Sequence, residues 1–150
     1  MSSNLRLPLP LTADEVTRLV DESFPGLNDG GRSVVIESVA DRSARVRLLL
    51  AERNIRPGGT LSGPAMFMLA DFTIYAALIA TLGPPAIAAV TSNLNINFLM
   101  RPEPADIVAE ARIMRLGRRL AFAEVHVRAD GATDILAHAT GSYALPPAPR

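Results

Sequence analysis

A run of twenty residues with one charged side chain constrains the fold of this 150-residue chain more than any other feature. The run, Gly63–Leu82, is long and apolar enough to cross a bilayer as a helix. Its charged residue, Asp71, lies near the middle, where insertion of a carboxylate costs about 2.5–3.5 kcal/mol. No basic cluster flanks either end to set an orientation in a membrane. We therefore predict that the run is the buried helix of a soluble domain and that the protein has no membrane partner.

A helix that is apolar on every side must be covered on every side, and the flanking sequence predicts the cover. Strand-like runs precede and follow the helix, at residues 33–40, 44–50, 88–100, 107–113, 121–128 and 134–145. Between the last two runs, Asp130-Gly131 predicts a two-residue hairpin turn. An antiparallel sheet of about six strands would cover one side of the helix. A second copy of the same surface is the simplest cover for the rest.

The N-terminal part predicts a second, short helix. Thr12-Ala13-Asp14-Glu15 is a capping box, apolar residues follow at helical spacing, and Pro25-Gly26 ends the helix. The chain has the length of one ordinary domain with a substantial core. We predict a single α+β domain over residues 1–150, in which residues 1–11 and 146–150 are extended tails.

Composition and charge exclude several classes of function. Acidic and basic residues number 15 each, so no positive field favours a nucleic-acid partner. Cysteine and lysine are both absent, which excludes disulfides, thiolate nucleophiles, Schiff-base chemistry and a Walker-type phosphate loop. The two histidines, His126 and His138, form no ligand cluster at helical spacing, and we expect no metal. The first ten residues lack the apolar core of a signal peptide, so we expect a cytoplasmic location.

One motif joins the loop before the long helix to the helix itself. Residues 59–64 read Gly-Thr-Leu-Ser-Gly-Pro, and Leu69-Ala70-Asp71 follows within the helix. The motif resembles that of hotdog-fold acyl-CoA thioesterases of the phenylacetate-degradation (PaaI-like) type, where Gly-Thr-Leu-His-Gly-Gly precedes a Leu-Ala-Asp whose Asp lies nine residues after the His. Ser62 stands at the position of that His, and Pro64 at that of the second Gly. Further matching segments bring the resemblance to roughly residues 53–143: 90–98, 101–102, 116–119 and 137–143.

The resemblance implies a hotdog fold, in which the sheet wraps the long helix and the protein is at least a dimer. It implies that Asp71 is the general base for water, or the nucleophile, that attacks a thioester. A carboxylate in an apolar helix needs such a role or a partner; the alternative is a structural carboxylate that caps a loop or pairs with an arginine. The backbone amide of Gly63, at the helix N-terminus, would face the thioester carbonyl. Thr91 would help to place the water, and Ser62 would orient the substrate.

The resemblance also implies where coenzyme A would bind. Asn54 and Arg56 lie in a loop that acts, in the family, across the dimer interface on the neighbour's Asp; the alternative is a solvated loop. Arg118 and Arg119 lie where relatives contact the phosphates of coenzyme A, and the guanidinium fork suits phosphate well. Arg101 is a further candidate of the same kind, and a solvated turn is the alternative for these arginines.

We therefore predict hydrolysis of an acyl-CoA thioester by a homodimer or homotetramer, with coenzyme A as part of the substrate and no metal or other cofactor. Two alternatives stay open. One is a non-catalytic acyl-CoA-binding hotdog protein. The other is an enoyl-CoA hydratase, whose site generally pairs an Asp with a His that Ser62 replaces here. The sequence leaves open the acyl group, the arrangement of a tetramer, the choice between base and nucleophile for Asp71, and the role of Asn93, Asn95 and Asn97.

Overall fold

The computed structural model describes residues 7–147. Residues 1–6 and 148–150, and with them most of the two predicted tails, lie outside the described range. Within that range Leu11 is buried, and its N–H donates a 2.8 Å hydrogen bond to the carbonyl of Ala80. The N-terminal segment is therefore fixed to the long helix from Leu11 onward.

The described residues form a six-stranded antiparallel sheet, one long helix against it, and a short N-terminal helix. The helices are α1 (Ala13–Ser23) and α2 (Gly63–Leu82). The strands are β1 (Val34–Ala40), β2 (Ser43–Leu48), β3 (Ile55–Arg56), β4 (Thr60–Leu61), β5 (Val90–Phe98), β6 (Ile107–Leu116), β7 (Leu120–Ala129) and β8 (Ile135–Ala144). Their order in the main sheet is β1-β2-β6-β7-β8-β5, with β3 and β4 forming a separate small hairpin. This is the predicted α+β hotdog architecture.

Helix α2 begins and ends where local chemistry requires. Ser62 is the N-cap, and its hydroxyl oxygen accepts a hydrogen bond from the Ala65 N–H at 3.2 Å. Gly83 ends the helix with φ at +82°, a conformation that favours glycine. Within its most apolar window 67% of the residues are buried by the sheet and by neighbouring segments. The helix is thus the core of the domain, although it is long and apolar enough to cross a membrane.

Two segments differ from the sequence-based prediction. The predicted loop before α2 contains a 3-10 helix, Glu52–Asn54, as well as the β3–β4 hairpin. The turn at Asp130-Gly131 joins β7 to β8 as expected, but the prediction of a two-residue turn is wrong. The last β7–β8 pair is Arg128 with Ile135, after a register shift, so residues 130–134 form a longer connection.

A bulge in β5 changes the direction in which Thr91 points. Thr91 pairs with Tyr143, whereas Asn93 pairs with Ser142, so Ser92 is an extra residue between them. Adjacent residues of β8 face opposite sides of the sheet, and therefore so do Thr91 and Asn93. Strict alternation along the strand would predict Thr91, Asn93, Asn95 and Asn97 on one face, and for Thr91 the bulge makes that expectation wrong.

Candidate functional site

Asp71 is half-buried on α2, and two hydroxyl groups hold its carboxylate. The Thr91 hydroxyl donates to Oδ1 at 2.7 Å, and the Tyr143 hydroxyl donates to the same oxygen at 2.5 Å. The other oxygen, Oδ2, accepts no hydrogen bond from residues 7–147. Asp71, Thr91 and Tyr143 all line an open cleft of about 520 Å³. One carboxylate oxygen is thus fixed by the protein, and the other is left for a ligand or water.

The β5 bulge is what brings Thr91 to this carboxylate. A regular strand would direct Thr91 to the side of Asn93, away from α2. The extra residue, Ser92, is held by its hydroxyl, which lies 2.8 Å from the Ser142 hydroxyl and 3.1 Å from the Ser142 carbonyl. Bulges commonly re-aim side chains beside functional sites. Thr91 and Asp71, each predicted as a site residue, are therefore in contact, through a local structure that the alternation of residues does not reveal.

Tyr143 is a site residue that the sequence analysis missed. Its side chain is 3% exposed, and its ring stacks on that of Tyr75 with centroids 6.2 Å apart. Burial, and then the adjacent Asp71 carboxylate, raise the pKa of Tyr143 well above its ordinary value. The hydroxyl therefore stays protonated and donates to Asp71. Tyr143 ends the segment 137–143 that matches the family, which the sequence shows. Its position opposite Thr91 depends on the pairing of β8 with β5, which the sequence does not show.

A second polar feature lies at the N-terminus of α2. Ser62 caps the Ala65 amide, and Pro64 has no amide proton. The Gly63 N–H is left without an acceptor among residues 7–147, at the positive end of the helix dipole. The Ser62 N–H donates to the Asn54 carbonyl at 2.7 Å, which ties the preceding loop to the helix start. The Gly63 amide is thus available to a carbonyl oxygen, and the Ser62 oxygen serves as the cap.

Gly63 and Asp71 lie in different clefts. Gly63 lines a cleft of about 610 Å³ with Arg56, Phe98 and Arg101, and none of these four lines the cleft of Asp71. Asp71 lies eight positions after Gly63 in the α-helix, a rise of about 12 Å. Groups that act on one carbonyl must both lie within about 3 Å of the reacting atoms. A single chain therefore does not bring the two predicted catalytic groups together.

The predicted coenzyme A arginines fall into two groups. Arg101 and Arg56 line the Gly63 cleft, where the Arg101 guanidinium donates to the Gly58 carbonyl at 3.2 Å. Arg118 and Arg119 are exposed in the turn between β6 and β7. That turn adjoins the sheet row in which Ala121, Tyr143 and Thr91 pair side by side, close to the Asp71 cleft. The arginines thus flank both clefts.

The comparisons with known proteins agree with this architecture. The model of the thioesterase superfamily matches residues 58–135, more than half of the chain. A candidate thioesterase from Silicibacter sp. TM1040 is 34% identical, with a TM-score of 0.81 over 95% of this chain and 97% of that one.

Two more distant structures share the fold. Zebrafish thioesterase superfamily member 2 is 23% identical, with a TM-score of 0.77 over 91% of this chain and 99% of its own. A mutant form of the phenylacetic acid degradation protein PaaI from Thermus thermophilus is 21% identical. Its TM-score is 0.68, over 84% of this chain and 100% of its own. No curated protein is significantly similar in sequence. The resemblance seen in the motifs is confirmed, and the chain belongs to the thioesterase superfamily of thioester hydrolases.

Proposed function

We propose that the protein hydrolyses acyl-CoA thioesters as a homodimer, or as a tetramer built from such dimers. Each site would combine Asp71 of one subunit with the Gly63 amide of the partner subunit. The observation that carries the proposal is the Asp71 carboxylate, which Thr91 and Tyr143 hold by one oxygen while the other faces no protein donor in residues 7–147. A carboxylate held in this way is suited to take a proton from a bound water.

Strand β5 supports the proposed dimer. It is an edge strand, so one side of its backbone has no strand partner among residues 7–147. Exposed apolar side chains, with 40–61% of their surface accessible, lie on β5, directly after it and on α2: Val90, Phe98, Leu99, Met100, Phe67 and Met68. An exposed edge flanked by such a surface favours association. A second copy of the chain would pair with it about a two-fold axis, antiparallel.

Antiparallel pairing of two β5 strands would also complete the site. The start of β5 carries Thr91, beside Asp71. Its end carries Phe98, whose ring packs on Gly63, since an added Cβ on that glycine would lie 3.2 Å from the ring. Antiparallel strands place the start of one beside the end of the other. The Asp71 cleft of each subunit would then adjoin the Gly63 cleft of its partner, which removes the separation found within one chain.

The chemistry follows from this arrangement. A water hydrogen-bonded to Oδ2 of Asp71 would attack the thioester carbonyl carbon and give up a proton to the carboxylate. The Gly63 amide of the partner subunit would stabilise the oxyanion. Collapse of the tetrahedral intermediate breaks the C–S bond, and the departing sulfur takes the proton from Asp71. The products are a free acid and coenzyme A.

Coenzyme A would lie along the arginines. Arg118 and Arg119 form no ion pair with any residue in the range 7–147, and their turn adjoins the Asp71 cleft. Their guanidinium groups suit the phosphates of coenzyme A. Arg56 and Arg101 of the partner subunit would approach the same ligand from the Gly63 side. We further propose that the protein acts in the cytoplasm and does not bind nucleic acid.

Thiol release from short, medium, long and aromatic acyl-CoA esters tests the proposal. We expect the wild type to hydrolyse at least one class, and Asp71→Asn to lose that activity while keeping a wild-type circular dichroism spectrum. Equal activity in both proteins would refute the role of Asp71. Binding of several acyl-CoA esters without turnover by the wild type would favour the non-catalytic alternative.

A further inference from the structure

The outer face of the sheet, opposite α2, carries two histidines and a glutamate at adjacent positions. Glu124 and His126 lie on β7, and His138 lies on β8. We call these three residues the outer-face cluster. The residues that alternate with them, Val125 and Ala139, are fully buried on the inner face. The cluster is therefore on the opposite side of the sheet from Asp71.

Strand pairing places the three side chains in contact. His126 and His138 are directly opposite each other, with ring centroids 5.2 Å apart. Nε2 of His138 lies 2.9 Å from Oε2 of Glu124. One nitrogen of each histidine and one glutamate oxygen all lie within 4.8 Å of one another.

We propose that Glu124, His126 and His138 bind a divalent transition metal of the zinc class, with a fourth coordination position left to water. Two imidazoles and a carboxylate are a donor set that zinc accepts readily. Zinc–ligand bonds of about 2.0–2.1 Å at tetrahedral angles place ligand atoms about 3.3 Å apart. Nε2 of His138 and Oε2 of Glu124, at 2.9 Å, are already near that spacing, and the ligand nitrogen of His126 lies within 4.8 Å of both atoms.

The surroundings suit a bound cation that exchanges with solvent. Glu124 and His138 each keep about a third of their side-chain surface exposed, so an ion can enter. Glu124 and His126 also line a surface groove of about 1060 Å³, which leaves room for the fourth ligand. Glu110 lies opposite His126 but is held by Arg45 at 2.5 Å. Arg112 lies opposite Glu124, and its positive charge would weaken rather than strengthen cation binding.

A sequence search at helical spacing does not find this site. His126 and His138 are twelve residues apart in sequence and meet only through the β7–β8 register. The expectation of no metal rested on that helical spacing. Because the cluster and Asp71 lie on opposite faces, the two proposals stand or fall separately.

The test is calorimetric titration of Zn²⁺ into the full chain, freed of any affinity tag and treated with a chelator. We expect one ion per chain, and binding at least about tenfold weaker in each of His126→Gln, His138→Gln and Glu124→Gln, since even a change in a residue that only supports a metal ligand typically costs that much. Glu37→Gln is the matched control, since Glu37 lies on the same sheet but is held by Arg45 and Arg47, away from the two histidines. Asp71→Asn should also bind like the wild type.

A spectroscopic readout makes the result independent of heat signals. Co²⁺ in the same site should give the intense visible absorption of a four-coordinate ion in the wild type and in Glu37→Gln, and not in His138→Gln. Circular dichroism would check that every variant is folded. Wild-type binding no tighter than that of His126→Gln and His138→Gln would overturn the proposal, as would Co²⁺ absorption in His138→Gln as intense as in the wild type.

Discussion

Replacing Tyr143 by Phe removes one hydroxyl from the structure and leaves the ring. That hydroxyl donates to Oδ1 of Asp71 at 2.5 Å. A hydrogen bond to a charged group contributes about 1.5–3 kcal/mol. If the bond holds the carboxylate for attack by water, its loss lowers kcat by about 10- to 150-fold. The free energy of unfolding should fall by only about 1 kcal/mol, because Thr91 still donates to Oδ1 and water can occupy the vacated position.

Tyr75→Phe is the matched control for that variant. Its ring stacks on Tyr143, and its hydroxyl donates to the Ile87 carbonyl at 2.5 Å rather than to Asp71. It should lose a similar amount of stability and keep the wild-type kcat. The measurements are urea unfolding and initial rates of thiol release on the best acyl-CoA substrate. A Tyr143→Phe variant whose kcat equals that of Tyr75→Phe would mean that Asp71 is a structural carboxylate, and the reasoning would be refuted.

Three further predictions concern stability and substrate binding. Because the pKa of Tyr143 is raised in the folded state, its contribution to stability should be constant below its ordinary value of 10.0 and be lost as the pH rises above that value. Urea unfolding from pH 8 to 11 should therefore show a smaller fall in Tyr143→Phe than in the wild type, and an equal fall would contradict this. Replacing Arg118 and Arg119 together by Ala should raise KM for acyl-CoA but not for the matching acyl-pantetheine ester, which lacks the nucleotide phosphates. Arg18→Ala is the surface control. An equal rise in KM for both esters would argue against phosphate binding. Ser62→Ala should lower the free energy of unfolding by about 1 kcal/mol through loss of the N-cap, with kcat little changed. A large fall in kcat would instead mean that Ser62 orients the substrate.

Local sequence rules predicted the elements well where they depend on neighbouring residues. Helix α2 spans Gly63–Leu82 as predicted, because a capping Ser62, a proline in the first turn and Gly83 act within a few residues. The capping box at Thr12 likewise begins α1. The six strands of the main sheet were predicted from alternation and from the turns between them, whereas their order in the sheet was not predicted.

The site depended on features that no local pattern contains. The bulge at Ser92 reverses the side on which Thr91 lies, and a bulge leaves no mark in the alternation of residues. Tyr143 reaches Asp71 from a strand 72 residues along the chain. The separation of Gly63 from Asp71, by contrast, follows from the predicted helix itself, since eight helical positions span about 12 Å.

The composite site is the central claim, and a mixed dimer tests it. Gly63→Pro replaces the amide N–H by a proline ring and should leave the backbone unchanged, because Ser62 already has the extended backbone (φ −75°, ψ 145°) that a residue before proline adopts, and proline is favoured at the first helical position. Gly63→Ala adds a similar side-chain carbon beside Phe98 but keeps the amide, so it controls for crowding. We expect the Asp71→Asn and Gly63→Pro homodimers to be inactive, and Gly63→Ala to retain activity.

The decisive measurement is the activity of a heterodimer in which one subunit carries Asp71→Asn and the other Gly63→Pro, co-expressed with different removable tags and purified through both. If each site takes Asp71 from one subunit and Gly63 from the other, both substitutions fall in one site and the second site is intact. The heterodimer should then show about half of the wild-type activity per dimer. If Asp71 and Gly63 of the same chain act together, each site contains one substitution, and a heterodimer as inactive as its two parents would contradict the account.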